Sequence, residues 1–126
     1  MKFQIAFFAI AIALFEQWSA NAEAIRFRCE FRMHSSIDGL QFDEKPFSFE
    51  IHFDGVTHDA FLKGNNGISS LQAVVGESGL SFVETLPTGA THITTINQRS
   101  FAVHSRHPLF QGGILASQYY GECPAG

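Results

Sequence analysis

Charge is scarce in this chain, and its scarcity removes whole classes of function. Charged residues make up 16% of the sequence, with a formal net charge of −4. That mild acidity leaves no basic footprint for a nucleic-acid backbone. Arg26, Arg28 and Arg32 are the nearest thing to a basic stripe, and they alternate as the solvated face of a strand does. Cysteine is scarcer still. Only Cys29 and Cys123 occur, without the Cys-x-x-Cys spacing of a redox couple. The chain has no Gly-rich nucleotide loop, zinc-protease motif or calcium loop, and Gly76-Glu77-Ser78-Gly79 lacks the Gly-x-Ser-x-Gly spacing of a nucleophile elbow. There is also no internal repeat, no low-complexity segment and no long helical pattern beyond the N-terminus.

No apolar run reaches the ~20 residues of a transmembrane helix. The longest, Ile5 to Phe15, follows Lys2 and precedes the small-residue pattern Ala20-Asn21-Ala22, the layout of a secretory signal peptide over residues 1–22. No cysteine at the cleavage region offers a lipid acceptor. Residues 23–126 are then one exported domain, periplasmic or secreted, with no stable membrane insertion once the leader is removed. Export makes a Cys29–Cys123 disulfide reasonable, joining the first and last strands.

What the domain does have is alternation. Ile25, Phe27, Cys29, Phe31 and Met33 share one face of the first segment; Phe47, Phe49, Ile51 and Phe53 form a second inward row. Asp54-Gly55 suits a two-residue hairpin turn, returning Val56, His58, Ala60 and Leu62 to the phenylalanine face and making His58 an interior histidine. Eight strands are expected, over 25–33, 46–53, 56–62, 70–75, 79–86, 90–96, 99–105 and 117–123. Residues 34–44 cross a rim, and Pro108 ends the central ladder. Short connections and a bridge between the chain ends predict an all-β fold: a small antiparallel β barrel closed by one disulfide, with a β sandwich as the alternative.

Residues 79–107 carry the register. A connection through Pro87-Thr88-Gly89 sets Leu86 opposite Ala90, Phe82 opposite Thr94 and Glu84 opposite His92, while Val75 meets Leu80 and Ala73 meets Phe82. If Asn97-Gln98 is the next turn, Ile96 faces Arg99, Thr94 faces Phe101 and His92 faces Val103, with Ser105 diagonal to His92. The opposite parity turns Val83, Ile93 and Ala102 inward; the first has more apolar bulk to bury.

On the favoured register Glu84, His92 and Ser105 have the role pattern of a serine hydrolase, carboxylate to imidazole to hydroxyl. Flat neighbouring strands supply no oxyanion donors, so a buried hydrogen-bonded network is the simpler reading. His104-x-x-His107 with His92 has the side chains of a metal site, but an extended strand separates them onto two faces. Neither a metal nor a cofactor is expected.

The ending Ser117-Gln118-Tyr119-Tyr120-Gly121-Glu122-Cys123, with Ala102-Val103-His104-Ser105-Arg106-His107 before it, resembles a group of small uncharacterised secreted bacterial proteins. The resemblance implies the exported, bridged layout and transfers no catalytic residue. In size and bridged β design the chain is also similar to periplasmic lysozyme inhibitors, whose inhibitory loop has no counterpart here. The functional expectation is a noncatalytic envelope or extracellular binding protein rather than an enzyme, using a rim of Arg106, His107, Phe110 and Tyr120. Its partner would be a protein, a surface component or a small apolar ligand. A small hydrolase and a structural envelope protein are the alternatives.

Overall fold

The computed structural model describes residues 24–126, so the leader expected over residues 1–22 lies outside the described residues. Ten strands follow in order: β1 (Ala24–Ser36), β2 (Gly39–Asp54), β3 (Asp59–Gly64), β4 (Gly67–Val75), β5 (Gly79–Thr85), β6 (Thr91–Asn97), β7 (Phe101–His107), β8 (Leu109–Phe110), β9 (Gly113–Ile114) and β10 (Ser117–Glu122). Eight of them close into an antiparallel barrel in the order β1-β10-β7-β6-β5-β4-β3-β2, while β8 and β9 form a separate two-stranded flap. Closure leaves the barrel proper without a sheet edge, and selects the barrel over the sandwich. Among the described residues no helix is long and apolar enough to cross a membrane.

The core follows from the alternating rows. Phe27, Phe31, Phe49, Ile51, Phe53, Phe82 and Ile96 are buried around Cys29 and Cys123, which form the disulfide between β1 and the end of the chain. Phe82 meets Phe27 and Phe53 at ring-centroid distances of 6.0 and 5.5 Å, so β1, β2 and β5 are joined across the barrel. Each fully buried side chain of this kind contributes about 1.5–3 kcal/mol.

Three local features depart from the expected pattern, and two of them decide what enters the barrel. The first is a bulge in β1: Phe31 pairs with Gly121 but Met33 pairs with Tyr120, so the strand carries one residue more than its neighbour. Met33 thereby leaves the face of Phe27, Cys29 and Phe31, and His34 turns inward in its place. Gly121 permits this close approach, because a Cβ there would stand 2.1 Å from the Glu30 carbonyl oxygen. Beyond the bulge β1 and β2 continue as a long arm to a tip at Ile37 and Asp38, so residues 34–44 form a hairpin rather than a rim crossing.

The second is the β6–β7 connection. The turn takes three residues, Gln98 to Ser100, with Ser100 at φ 70° and the Asn97 Oδ1 accepting from the amides of Arg99 (2.9 Å) and Phe101 (3.0 Å). The expected pairs Ile96–Arg99, Thr94–Phe101 and His92–Val103 are therefore replaced by Ile96–Ala102, Thr94–His104 and His92–Arg106. An odd shift exchanges the two faces of a strand. Phe101 is exposed, and Ala102, His104 and Arg106 face inward.

The third is the β2–β3 turn, which spans four residues because Asp54 Oδ1 accepts from the amides of Val56 (2.8 Å) and Thr57 (3.0 Å). That even shift keeps Ala60 and Leu62 on the phenylalanine face, now opposite Phe53 and Ile51. His58 is exposed in the turn at φ 67°, its ring 5.8 Å from that of Phe53 at the end of the barrel that carries the described termini, and is not an interior histidine.

Candidate binding site at the upper end of the barrel

One end of the barrel, here the upper end, carries the arm, the β3–β4 and β5–β6 turns and the flap. The other end carries the remaining turns and both described termini. Below the middle the lumen is filled with phenylalanine. Above it the inward positions turn polar, and most of these polar groups satisfy one another. Glu84 and His92 face each other across β5 and β6 as the register predicts, with His92 Nδ1 donating to Glu84 Oε1 at 3.2 Å. His104 and Thr94, each 2% exposed, share a hydrogen bond of 2.7 Å between Nδ1 and Oγ1. His34, brought inside by the β1 bulge, donates to Asp43 Oδ2 at 2.9 Å and lies 5.2 Å from the Tyr119 ring. Arg106 enters between aromatic rings, its guanidinium carbon 5.9 Å from the centroids of both Phe47 and Tyr119.

The electrostatics follow from this packing. Burial, reinforced by the neighbouring His92 and Arg106, pushes the His104 imidazole down to about 3, so it is neutral at pH 7. His92 is also lowered, first by burial and then by Arg106, against the opposing pull of the Glu84 carboxylate.

The nucleophile expected from the sequence, Ser105, is not part of this arrangement. Ser105 pairs with Ile93 and Gln118 on the outward face, whereas His92 and His104 face inward with ring centroids 5.7 Å apart. The Glu84–His92–Ser105 relay is thus corrected: its first two members meet and the third is turned away, because the three-residue β6–β7 loop reverses the parity of β7. The same reversal brings His92 and His104 onto one face. His107 stays on the other, exposed, opposite Thr91. Among the described residues no group of three or more His, Cys, Asp or Glu side chains is placed to hold a metal ion.

The expected rim residues divide between surfaces. Phe110, on the flap, is 58% exposed, and His107 is exposed beside it at the same end. Arg106 points into the lumen. Tyr120 lies on the outer wall, its hydroxyl 3.1 Å from Ser35 Oγ and donating to Gln118 Oε1 at 2.9 Å. There it lines an open groove of about 820 Å³ together with Met33, Phe42, Arg28, Glu50 and Lys63.

Sequence reasoning missed His34, Asp43 and His104 as lumen residues. A signal for His104 was present in Asn97, whose short amide side chain caps a tight loop by accepting from backbone amides. His34 had none, since a one-residue bulge leaves no mark on an alternating pattern. Comparison with known protein families, curated proteins and solved structures gives no match to this chain, so its class rests on the fold and the site themselves: a small, disulfide-bridged, closed antiparallel barrel with a polar mouth and, among the described residues, no clear catalytic triad.

Proposed function

We propose that the chain is a noncatalytic envelope or extracellular binding protein, periplasmic or secreted, that receives the apolar part of its ligand at the upper end of the barrel. The observation that carries this reading is the apolar character of two neighbouring projections. Of the thirteen large hydrophobic residues exposed among the described residues, seven sit on the arm (Ile37, Leu40, Phe42) and the flap segment (Leu109, Phe110, Ile114, Leu115). Ile37 is 83% and Phe42 79% exposed, so neither serves the core. The projections are neighbours because β1 pairs with β10 up to Ser35 and Gln118, which sets the arm tip beside the chain leaving the flap. Isolated exposed apolar residues are ordinary, but a contiguous group rimmed by polar residues is the mark of a binding surface. His107 and Phe110 of the expected rim belong to this end, Tyr120 to the adjoining wall and Arg106 to the mouth below.

A neutral apolar dye, N-phenyl-1-naphthylamine, provides the test. The exported protein is expected to bind it with enhanced fluorescence, and a Phe42→Ser/Phe110→Ser variant with an unchanged melting temperature to bind about tenfold more weakly. Equal binding by the two proteins, or no binding by either, would remove the upper end as the site.

A further inference from the structure

We propose that Arg106 anchors the carboxylate of an amphiphilic monocarboxylate whose apolar part rests on the flap. This deepens the reading of the upper end as a binding mouth and depends on it.

The argument begins with the partners of the polar groups inside the mouth. Glu84 is engaged by His92, Asp43 by His34 and Thr94 by His104. Arg106 differs: no carboxylate among the described residues forms an ion pair with it, and its Nε is buried with no hydrogen-bond partner. A buried N–H of a cation left without an acceptor is costly, and an anion from outside relieves that cost. The rings of Phe47 and Tyr119 flank the guanidinium, each centroid 5.9 Å from its central carbon, while the side chain is only half-buried, so its terminal N–H groups stay open to a ligand.

A carboxylate matches that fork with two parallel charge-assisted hydrogen bonds. It also suits the surrounding charge. Glu84 and Asp43 flank the mouth, and His92 and His104 are held toward their neutral forms. One added negative charge is balanced by Arg106, whereas a phosphate dianion would meet uncompensated repulsion from both acids. The flap begins three residues after Arg106, and its Leu109, Phe110 and Ile114 are exposed, so an apolar tail leaving the carboxylate has a surface to lie on.

The test compares decanoate with decanol by titration calorimetry at pH 7, below micelle formation, while the side-chain N–H signals of 15N-labelled arginine are followed by NMR. Decanoate is expected to bind the native protein at least about tenfold more tightly than decanol and to shift the Arg106 Nε–H signal. Arg106→Met should abolish that preference, and Arg106→Lys, which keeps the charge and loses the fork, should weaken it. Equal binding of acid and alcohol, an unmoved Arg106 signal, or an undiminished preference in folded Arg106→Met would overturn the proposal. The NMR result on the native protein decides the matter even if the Met variant fails to fold. If the neutral dye binds in a Phe110-dependent way and decanoate does not bind, the Arg106 proposal fails alone; if neither ligand binds, the binding-mouth reading fails with it.

Discussion

His104 is the most thoroughly buried ionisable side chain of the mouth, and its surroundings make the stability of the fold depend on pH. Phe49 lies 5.0 Å and Phe47 5.6 Å from its ring, and Thr94 supplies its hydrogen bond, so the neutral imidazole is accommodated and the cation is not. Its value in the fold is about 3, against 6.5 for the free side chain. Between those limits the unfolded chain binds the extra proton, so stability rises with pH there. It is complete above about pH 6.5 and is lost progressively as the pH falls toward 3. Urea unfolding at pH 7 and pH 4.5 should show a loss of about 2–3 kcal/mol that His104→Gln largely removes. Superimposable pH dependences for the two proteins would contradict this. His92 is lowered for the same reason and adds in the same direction.

Among the elements, the β6–β7 hairpin has the largest effect for its size. Its three-residue loop is set by Asn97, whose side chain accepts from two backbone amides, and by Ser100, held in the left-handed region. A two-residue turn at the same place would have sent Phe101, Val103 and Ser105 into the barrel and His104 and Arg106 into water. Asn97→Ala should therefore destabilise by about 1–2 kcal/mol, the scale of orphaned hydrogen-bond donors. Ser100→Gly should leave the urea midpoint unchanged or raise it slightly, because glycine adopts positive φ without the Cβ penalty. An unchanged midpoint for Asn97→Ala would show that the loop does not depend on this cap. The neighbouring β5–β6 hairpin behaves as its sequence predicts: Leu86 N–H donates to the Ala90 carbonyl at 2.9 Å, and Phe82, Glu84 and Leu80 meet Thr94, His92 and Ile96. Pro87 and Gly89 mark that turn plainly, whereas Asn97-Gln98-Arg99-Ser100 contains neither proline nor glycine.

At the scale of the molecule, barrel closure and the disulfide act on the same seam. β1 and β10 come from opposite ends of the domain, and Cys29–Cys123 spans a sequence separation of 94 beside their pairing. Closing a loop that long restricts the unfolded chain, worth up to about 4–5 kcal/mol in the entropy treatment. Cys29→Ser/Cys123→Ser is expected to lose a large part of this in chemical denaturation, and to lose stability again at low pH through His104. If the double variant unfolds at the same denaturant concentration as the native protein, the seam is held by strand pairing alone.

The sequence by itself determined the two-residue periodicity, the eight strands, their antiparallel succession, the pairing of the two cysteines and the meeting of Glu84 with His92. These are local matters, written in alternation, in turn residues and in the only two thiols. Tertiary structure decided which face of the β1 arm enters the lumen and, with Asn97 as the one local signal, which face of β7 does, and thus that His34, His104 and Arg106 face the lumen while Met33, Phe101 and Ser105 face outward. The physical reason is that alternation specifies a period and not a phase. Where both faces of a strand mix apolar and polar residues, one residue more or less in a loop or a bulge exchanges them, and that residue count is settled by backbone conformations at Ser100 and Gly121 that only the assembled barrel selects.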